Sequence, residues 1–116
     1  MEKARILCVS YDAVVSESRV SALNGAGYEV MGVTNIDRAS AVLDSQEFNL
    51  VIIGHRFSKA DKSRLIAQAE EERIPVLLVC GSYPESDLKV ADRVYAIEGV
   101  EGMLKKVAGV ISLKAA

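Results

Sequence analysis

Short apolar segments alternate along the chain with amphipathic segments, which is the pattern of a parallel β-sheet covered by helices. The predicted strands are Arg5–Val9, 28–33, Leu50–Ile53, Val76–Cys80 and 93–97. The first, third and fourth strands are continuously apolar, as expected for strands buried on both faces. The second and fifth strands contain or adjoin residues typical of sheet edges, namely Glu29, Gly32, Arg93 and Glu98. The pattern predicts a three-layer α/β/α sandwich with a five-stranded parallel sheet of order 2-1-3-4-5 and right-handed crossovers.

Apolar spacing and capping residues predict the first two helices. One helix runs from about residue 15 to residue 26 and ends at Gly27, because glycine favours the backbone conformation that closes a helix. The next runs from about residue 36 to residue 44, with Asn35 or Thr34 available as its cap.

The third helix begins with a capping box, since Ser58 is followed three residues later by Asp61. Its inner face is predicted to carry Leu65, Ile66 and Ala69, and its outer face Lys62, Arg64, Gln68 and Glu72. Pro75 then excludes further helix and opens the fourth strand.

The stretch 81–92 is the one long irregular segment, and it leaves room for at most one short helix, around residues 85–89. The helix after the fifth strand has apolar residues at the spacing of a single buried stripe, namely Val100, Met103, Leu104, Val107 and Ile111.

Composition narrows the class of protein. A chain of 116 residues fits one domain, so residues 1–116 are expected to form a single unit. The net charge is −2 and the basic residues are scattered, which argues against a nucleic-acid partner. The longest apolar run near the N-terminus, at residues 6–9, is too short for a signal peptide or a membrane span. The sequence therefore predicts a cytoplasmic protein with no membrane partner.

The two cysteines, Cys8 and Cys80, both fall in apolar strands and are expected to be buried thiols. The predicted strand order places the third strand between them, so two spacings of about 4.8 Å separate them by roughly 9–10 Å, beyond disulfide reach. Neither cysteine begins a phosphatase loop, because the position six residues later, where that loop has arginine, holds Val14 or Ser86.

In a sheet of this order, ligands bind at the carboxyl ends of the strands, where the first and third strands diverge. The segments that reach this edge are 10–12, 54–56, 80–82 and 97–99. His55 is the only histidine, and a single histidine lacks the cluster that a metal site needs. We expect His55 to be bonded locally or solvated, and Asp12 to cap the following helix rather than to bind a cation.

The stretches 5–12, 26–30, 48–54 and 75–81 resemble the corresponding strands of receiver domains in two-component response regulators. The resemblance covers essentially the whole chain. It implies a flavodoxin-like fold, and the short segment before the fifth strand implies that the fourth helix is shortened or lost.

The positions that carry phosphorylation in that family differ here. The acidic pair that holds Mg²⁺ corresponds to Ser10 and Tyr11, and the phosphoacceptor aspartate corresponds to Gly54. Glycine supplies no nucleophile, and a hard cation needs oxygen ligands, commonly several carboxylates. We therefore expect no phosphorylation on aspartate, and we expect Tyr11 to turn its ring into the space left at Gly54.

Two further positions of the family are also changed. The hydroxyl residue that ends the fourth strand corresponds to Cys80. The lysine that neutralises the transferring group corresponds to Ile97, or to Glu98 if the alignment shifts by one residue. Under that shift Tyr95 matches the switch tyrosine of the family; otherwise it is an edge-strand aromatic residue.

These observations predict a non-enzymatic, stand-alone pseudo-receiver that acts in signal transduction through a protein partner or through self-association. No cofactor and no metal are expected. The alternative is a sensor that binds a small ligand in the pocket left at the carboxyl edge, and a third possibility is a receiver phosphorylated in a non-standard way. The sequence does not name the partner or the pathway.

Overall fold

A computed structural model describes residues 3–81 and 92–115. In chain order the elements are β1 (Arg5–Val9), α1 (Ala13–Gly25), β2 (Glu29–Val33), α2 (Ile36–Ser45), β3 (Leu50–Ile53), α3 (Lys59–Glu71), β4 (Val76–Cys80), β5 (Asp92–Tyr95), a 3₁₀ turn (Ala96–Glu98) and α4 (Gly99–Ala115). The short helix predicted around residues 85–89, and with it the shortened fourth helix, lies outside the described residues.

The five strands form one parallel sheet of order β2-β1-β3-β4-β5, which confirms the predicted topology. All residues of β3 and β4 are buried, whereas β2 and β5 are largely half-exposed. The strands without polar residues are therefore the central ones, as expected when helices cover both faces.

Each face of the sheet has its own apolar core. On one face, Leu43 of α2 and Leu65 of α3 pack together with sheet residues such as Leu78. On the other face, Leu23 of α1 and Val107 of α4 pack together with sheet residues such as Ile52. This division places α1 and α4 side by side, with their first turns at the carboxyl edge of the sheet.

The cysteines lie on opposite faces of the sheet. Cys8 belongs to the core under α1 and α4, and Cys80 belongs to the core under α2 and α3. Both are buried free thiols, which confirms the prediction that they do not form a disulfide.

Two helices end in the same hydrogen-bonded motif. After α1, Gly27 has φ +100°, and the next amide, of Tyr28, donates to the carbonyl of Leu23 at 3.2 Å. After α3, Arg73 has φ +58°, and the amide of Ile74 donates to the carbonyl of Ala69 at 2.9 Å. The prediction that Gly27 ends the first helix is confirmed, whereas the same left-handed conformation at Arg73 is occupied by a residue with a β-carbon.

The structure corrects two predicted boundaries. Helix α1 begins at Ala13, because the Asp12 carboxylate already accepts hydrogen bonds from the amides of its first turn. Strand β5 ends at Tyr95 and not at residue 97, because the chain turns through a 3₁₀ helix. The Glu98 carboxylate fixes that turn by accepting the Tyr95 amide at 2.8 Å.

Two residues predicted on the solvent-exposed face of α3, Lys62 and Gln68, are more buried than predicted. Lys62 is only 5% exposed, because it precedes Leu65 and Ile66 by three and four residues and so shares their stripe. Gln68 is half-buried between helices, where its side-chain amide nitrogen donates to the Ser40 carbonyl at 2.9 Å.

No helix in the described part of the chain combines the length and the apolar character needed to cross a membrane.

Candidate functional site

The carboxyl ends of β1 and β3 bring Ser10 and Gly54 side by side. The Gly54 amide donates to the carbonyl of Val9 at 2.8 Å, and the Ser10 amide donates to the carbonyl of Val33 at 3.0 Å. Ser10 is fully buried. This junction is where the sheet topology predicts a ligand site.

Arg19 of α1 reaches into this junction. Its Nη1 donates to the Ser10 hydroxyl at 3.2 Å. A β-carbon built at Gly54 would lie 3.1 Å from the same Nη1 and 3.3 Å from the Val9 carbonyl oxygen. The guanidinium therefore occupies the space that a side chain at position 54 would enter.

The surroundings of Arg19 are unusual for a cation. The side chain is half-buried, and desolvation lowers the pKa of its guanidinium, while the Cys8 thiol acts in the opposite direction. Arg5 pairs with Glu29 and Arg64 pairs with Asp37, whereas no carboxylate of the described residues pairs with Arg19. The junction thus holds a cation without a matching anion.

The Cys8 thiol lies directly below this junction. Its Sγ is 3.8 Å from the Ser10 hydroxyl oxygen. Burial raises the pKa of the Cys8 thiol, although the contact with Ser10 and the charge of Arg19 act against that shift. Cys8 is therefore a protonated, solvent-excluded thiol at neutral pH.

Asp12 and Tyr11 lie at the rim of the junction. The Asp12 carboxylate accepts the amides of Val14 at 2.7 Å and Val15 at 3.3 Å, so it caps α1, as predicted. Contrary to the prediction, Tyr11 does not fill the space at Gly54. It is 61% exposed and packs edge-on against the Phe57 ring, with 5.7 Å between ring centroids. Arg19 already occupies that space, and Tyr11 turns outward.

His55 and Cys80 lie toward the β4 side of the same edge. The His55 ring is partly buried and packs against Gly81, where any β-carbon would collide with the ring. Cys80 is buried, with the Arg93 Nη1 3.9 Å from its sulfur. These residues line the ends of β3 and β4 but do not meet Ser10 in a polar cluster.

Ile97 does not take part in the junction. It follows β5 in the 3₁₀ turn and is 95% exposed. Ile97, which the receiver resemblance matches to the family's lysine, therefore lies two residues beyond the end of β5 and outside the junction. The cation of this site comes from α1 instead.

The residues present do not fit the Mg²⁺ ion that the receiver resemblance implies. A hard cation needs several oxygen ligands, and the one carboxylate at the rim, of Asp12, already accepts two backbone amides. The Arg19 charge next to Ser10 repels a second cation. Within residues 3–81 and 92–115, no group of three or more His, Cys, Asp or Glu side chains comes together to hold a metal ion.

Arg19 was the residue that sequence reasoning missed. It follows Ser16 by three residues and precedes Leu23 by four, and both of those residues are buried. This spacing puts Arg19 along the inner stripe of α1, and a helical projection of that segment would have revealed it.

Comparisons with solved structures identify the fold. A CheY-like receiver domain from Methanospirillum hungatei superposes with a TM-score of 0.87 at 18% identity, covering 98% of both chains. A chemotaxis protein from Vibrio cholerae gives a TM-score of 0.81 at 17% identity, covering 94% of this chain and 99% of that one. A response regulator from Thermotoga maritima, solved in complex with Mg²⁺ and BeF, gives a TM-score of 0.81 at 20% identity, covering 92% of this chain and 98% of that one.

No protein-family model matches the sequence, and no curated protein matches it. The likeness therefore lies in the arrangement of strands and helices. On that evidence the chain has the fold of response regulator receiver domains.

Proposed function

We propose that this protein is a pseudo-receiver: a signalling module of receiver fold that acts by binding a protein partner or a second copy of itself, without phosphorylation on aspartate. The observation that carries the proposal is the Arg19 guanidinium over Gly54. Position 54 has no nucleophile, and the space beside it is taken by a fixed positive charge.

Each chemical requirement of phosphoryl transfer is unmet at this edge. An acceptor needs a carboxylate to attack phosphorus, and glycine has none. The charge of the transferring group is normally neutralised by a metal ion and a positioned cation. The positions that match the family's metal-binding acidic pair hold Ser10 and Tyr11, neither of which is a carboxylate, and Ile97, at the position of the family's lysine, points into solvent. A role in signalling is in keeping with the similar structures, which are a response regulator receiver domain protein and a response regulator.

The same edge carries the exposed apolar side chains that a binding role needs. Tyr11 is 61% exposed, Val14 75% and Ile97 95%. All three follow strand ends or begin a helix at the carboxyl edge. Large apolar side chains grouped on one side of a small protein favour association with another protein surface.

Two kinds of binding can be measured: self-association of the protein, and its binding to partners captured from native lysate. We expect binding to be unchanged by acetyl phosphate with Mg²⁺, because no switch is present, and to weaken at least about tenfold in Ile97→Lys. Ser63→Lys is the matched control, since it adds the same charge at an exposed position of α3.

Binding that requires acetyl phosphate would contradict the proposal. So would a partner or a self-association that is retained in Ile97→Lys and lost in Ser63→Lys, because the contact surface would then lie on α3 and not at the carboxyl edge.

A further inference from the structure

An apolar cleft separates the first turns of α1 and α4. It has a volume of about 340 Å³ and opens over the carboxyl ends of β4 and β5. Most of its lining is apolar, contributed by Val14, Val15, Val79, Val94, Val100 and Met103. Ser18 and Arg19 add polar groups on the α1 side. The volume falls at the lower end of the range for small-molecule sites.

Arg19 gives this cleft its chemical character. Its guanidinium has five N–H donors, and the one hydrogen bond it makes to the described residues goes to the neutral Ser10 hydroxyl. No carboxylate of those residues pairs with it. Partial burial removes some of the hydration of a cation, and a neighbouring anion would compensate for that loss. Within the described residues no carboxylate pairs with Arg19, so an anionic ligand could supply that charge.

We propose that the α1–α4 cleft binds a small amphipathic anion, a carboxylate attached to a short apolar group. The carboxylate pairs with Arg19, whose planar fork matches two carboxylate oxygens. The apolar group packs against Val79, Val94 and Met103. This site goes beyond the interaction module proposed above and does not depend on it.

The charge balance favours a carboxylate over a phosphate. Among the residues that the structure describes, Arg19 is the one cation that lines the cleft; it matches a single negative charge, whereas a phosphate monoester carries nearly two. The apolar lining also favours a ligand whose other atoms are hydrocarbon. The partial positive charge at the start of α4, which borders the cleft at Gly99 and Val100, attracts either kind of anion and so adds to binding without selecting between them.

The proposal can be tested by ¹H–¹⁵N NMR titration with hexanoate, its neutral analogue hexanamide, and inorganic phosphate, at constant ionic strength. We expect saturable shifts with hexanoate at the amides of Ser18, Gly99 and Val100. Hexanamide should bind at least about tenfold more weakly because it lacks the charge that pairs with Arg19. Each methylene added from butanoate to hexanoate should raise affinity about fourfold.

Variants locate the site. Arg19→Gln should weaken hexanoate at least about tenfold. Ser18→Trp should abolish binding by filling the cleft from an exposed position of α1, and it keeps the test decisive if Arg19→Gln fails to fold. Arg64→Gln, which removes a surface arginine of α3 paired with Asp37, should leave binding unchanged.

Three outcomes would overturn the proposal. One is the absence of saturable shifts up to tens of millimolar hexanoate. Another is binding that Ser18→Trp, or a folded Arg19→Gln, leaves unaltered. The third is phosphate or hexanamide binding as tightly as hexanoate, which would show that the site does not select a carboxylate on an apolar group.

Discussion

At the scale of single residues, Arg19 and Gly54 depend on each other. The guanidinium can approach Ser10 because position 54 has no β-carbon, and a side chain there would lie 3.1 Å from Arg19 Nη1. An aspartate at position 54 would therefore meet a positive charge that belongs to the protein. This arrangement resembles an ion pair with its acidic partner removed.

A double-mutant cycle measures this relationship. Gly54→Ala should lower the free energy of unfolding by about 1–3 kcal/mol, because the added methyl group crowds Arg19 and the Val9 carbonyl. Arg19→Gln should cost about 1–3 kcal/mol more stability in the Gly54→Asp protein than in the native protein, and this difference is the favourable coupling. The coupling is obtained from urea unfolding of the native protein, Gly54→Asp, Arg19→Gln and the double variant.

Gly54→Ala and its Arg19→Gln partner serve as the neutral reference cycle, in which we expect no favourable coupling. A coupling near zero in the aspartate cycle would mean that the guanidinium does not lie beside position 54, and the description of the site would fail.

The thiols provide a second prediction at this scale. Both Cys8 and Cys80 are fully buried, and burial raises the pKa of Cys8, so the reactive thiolate is scarce in the folded protein. An Ellman assay at pH 8 should find neither thiol reactive on the timescale of minutes in native buffer and both reactive in guanidinium chloride. A native thiol that reacts as fast as the denatured protein would show that one strand is open to solvent.

At the scale of elements, the ends of α1 and α3 form a natural pair for comparison. Both end with a left-handed residue, Gly27 in one case and Arg73 in the other. A β-carbon in that conformation costs about 1–2 kcal/mol, and part of the gain from removing it is offset because glycine is more flexible in the unfolded chain.

Arg73→Gly should therefore raise the free energy of unfolding by about 0.5–1 kcal/mol, and Gly27→Ala should lower it by about 1 kcal/mol. Thermal and urea unfolding both report the change. A loss of stability in Arg73→Gly would show that the Arg73 side chain makes contacts that outweigh its backbone strain.

The boundaries of helices and strands could be predicted where a single nearby residue determines them. Gly27 ends α1 through its own backbone freedom, and Asp12 caps α1 through its own carboxylate. Lys62 was misplaced because its charge was given more weight than its spacing from Leu65, which puts it on the buried stripe. The end of β5 was misplaced because the 3₁₀ turn depends on a bond from the Tyr95 amide to the Glu98 carboxylate, which apolar patterning does not reveal.

At the scale of the whole molecule, the sheet topology and the chemistry of its edge are specified by different residues. The strand order follows from buried apolar strands, and it is shared with receiver domains of 17–20% identity. The edge residues can change without altering that order, because they follow the strands and do not form their cores. The sequence predicted a glycine at the acceptor position, but not that a side chain from α1 lies beside it, since that contact joins residues 35 positions apart.

A pseudo-receiver with this carboxyl edge should take up no phosphoryl group there. Intact-mass spectrometry after incubation with acetyl phosphate and Mg²⁺ tests this expectation, with a phosphorylatable receiver domain treated in parallel. We predict no added phosphoryl group on the native protein. We also predict none on Gly54→Asp, because Arg19 is still present beside position 54 and the carboxylates that would hold Mg²⁺ are still absent. A stable gain of one phosphoryl group on the native protein, mapped to residues 10–12 or 54–56, would contradict the account.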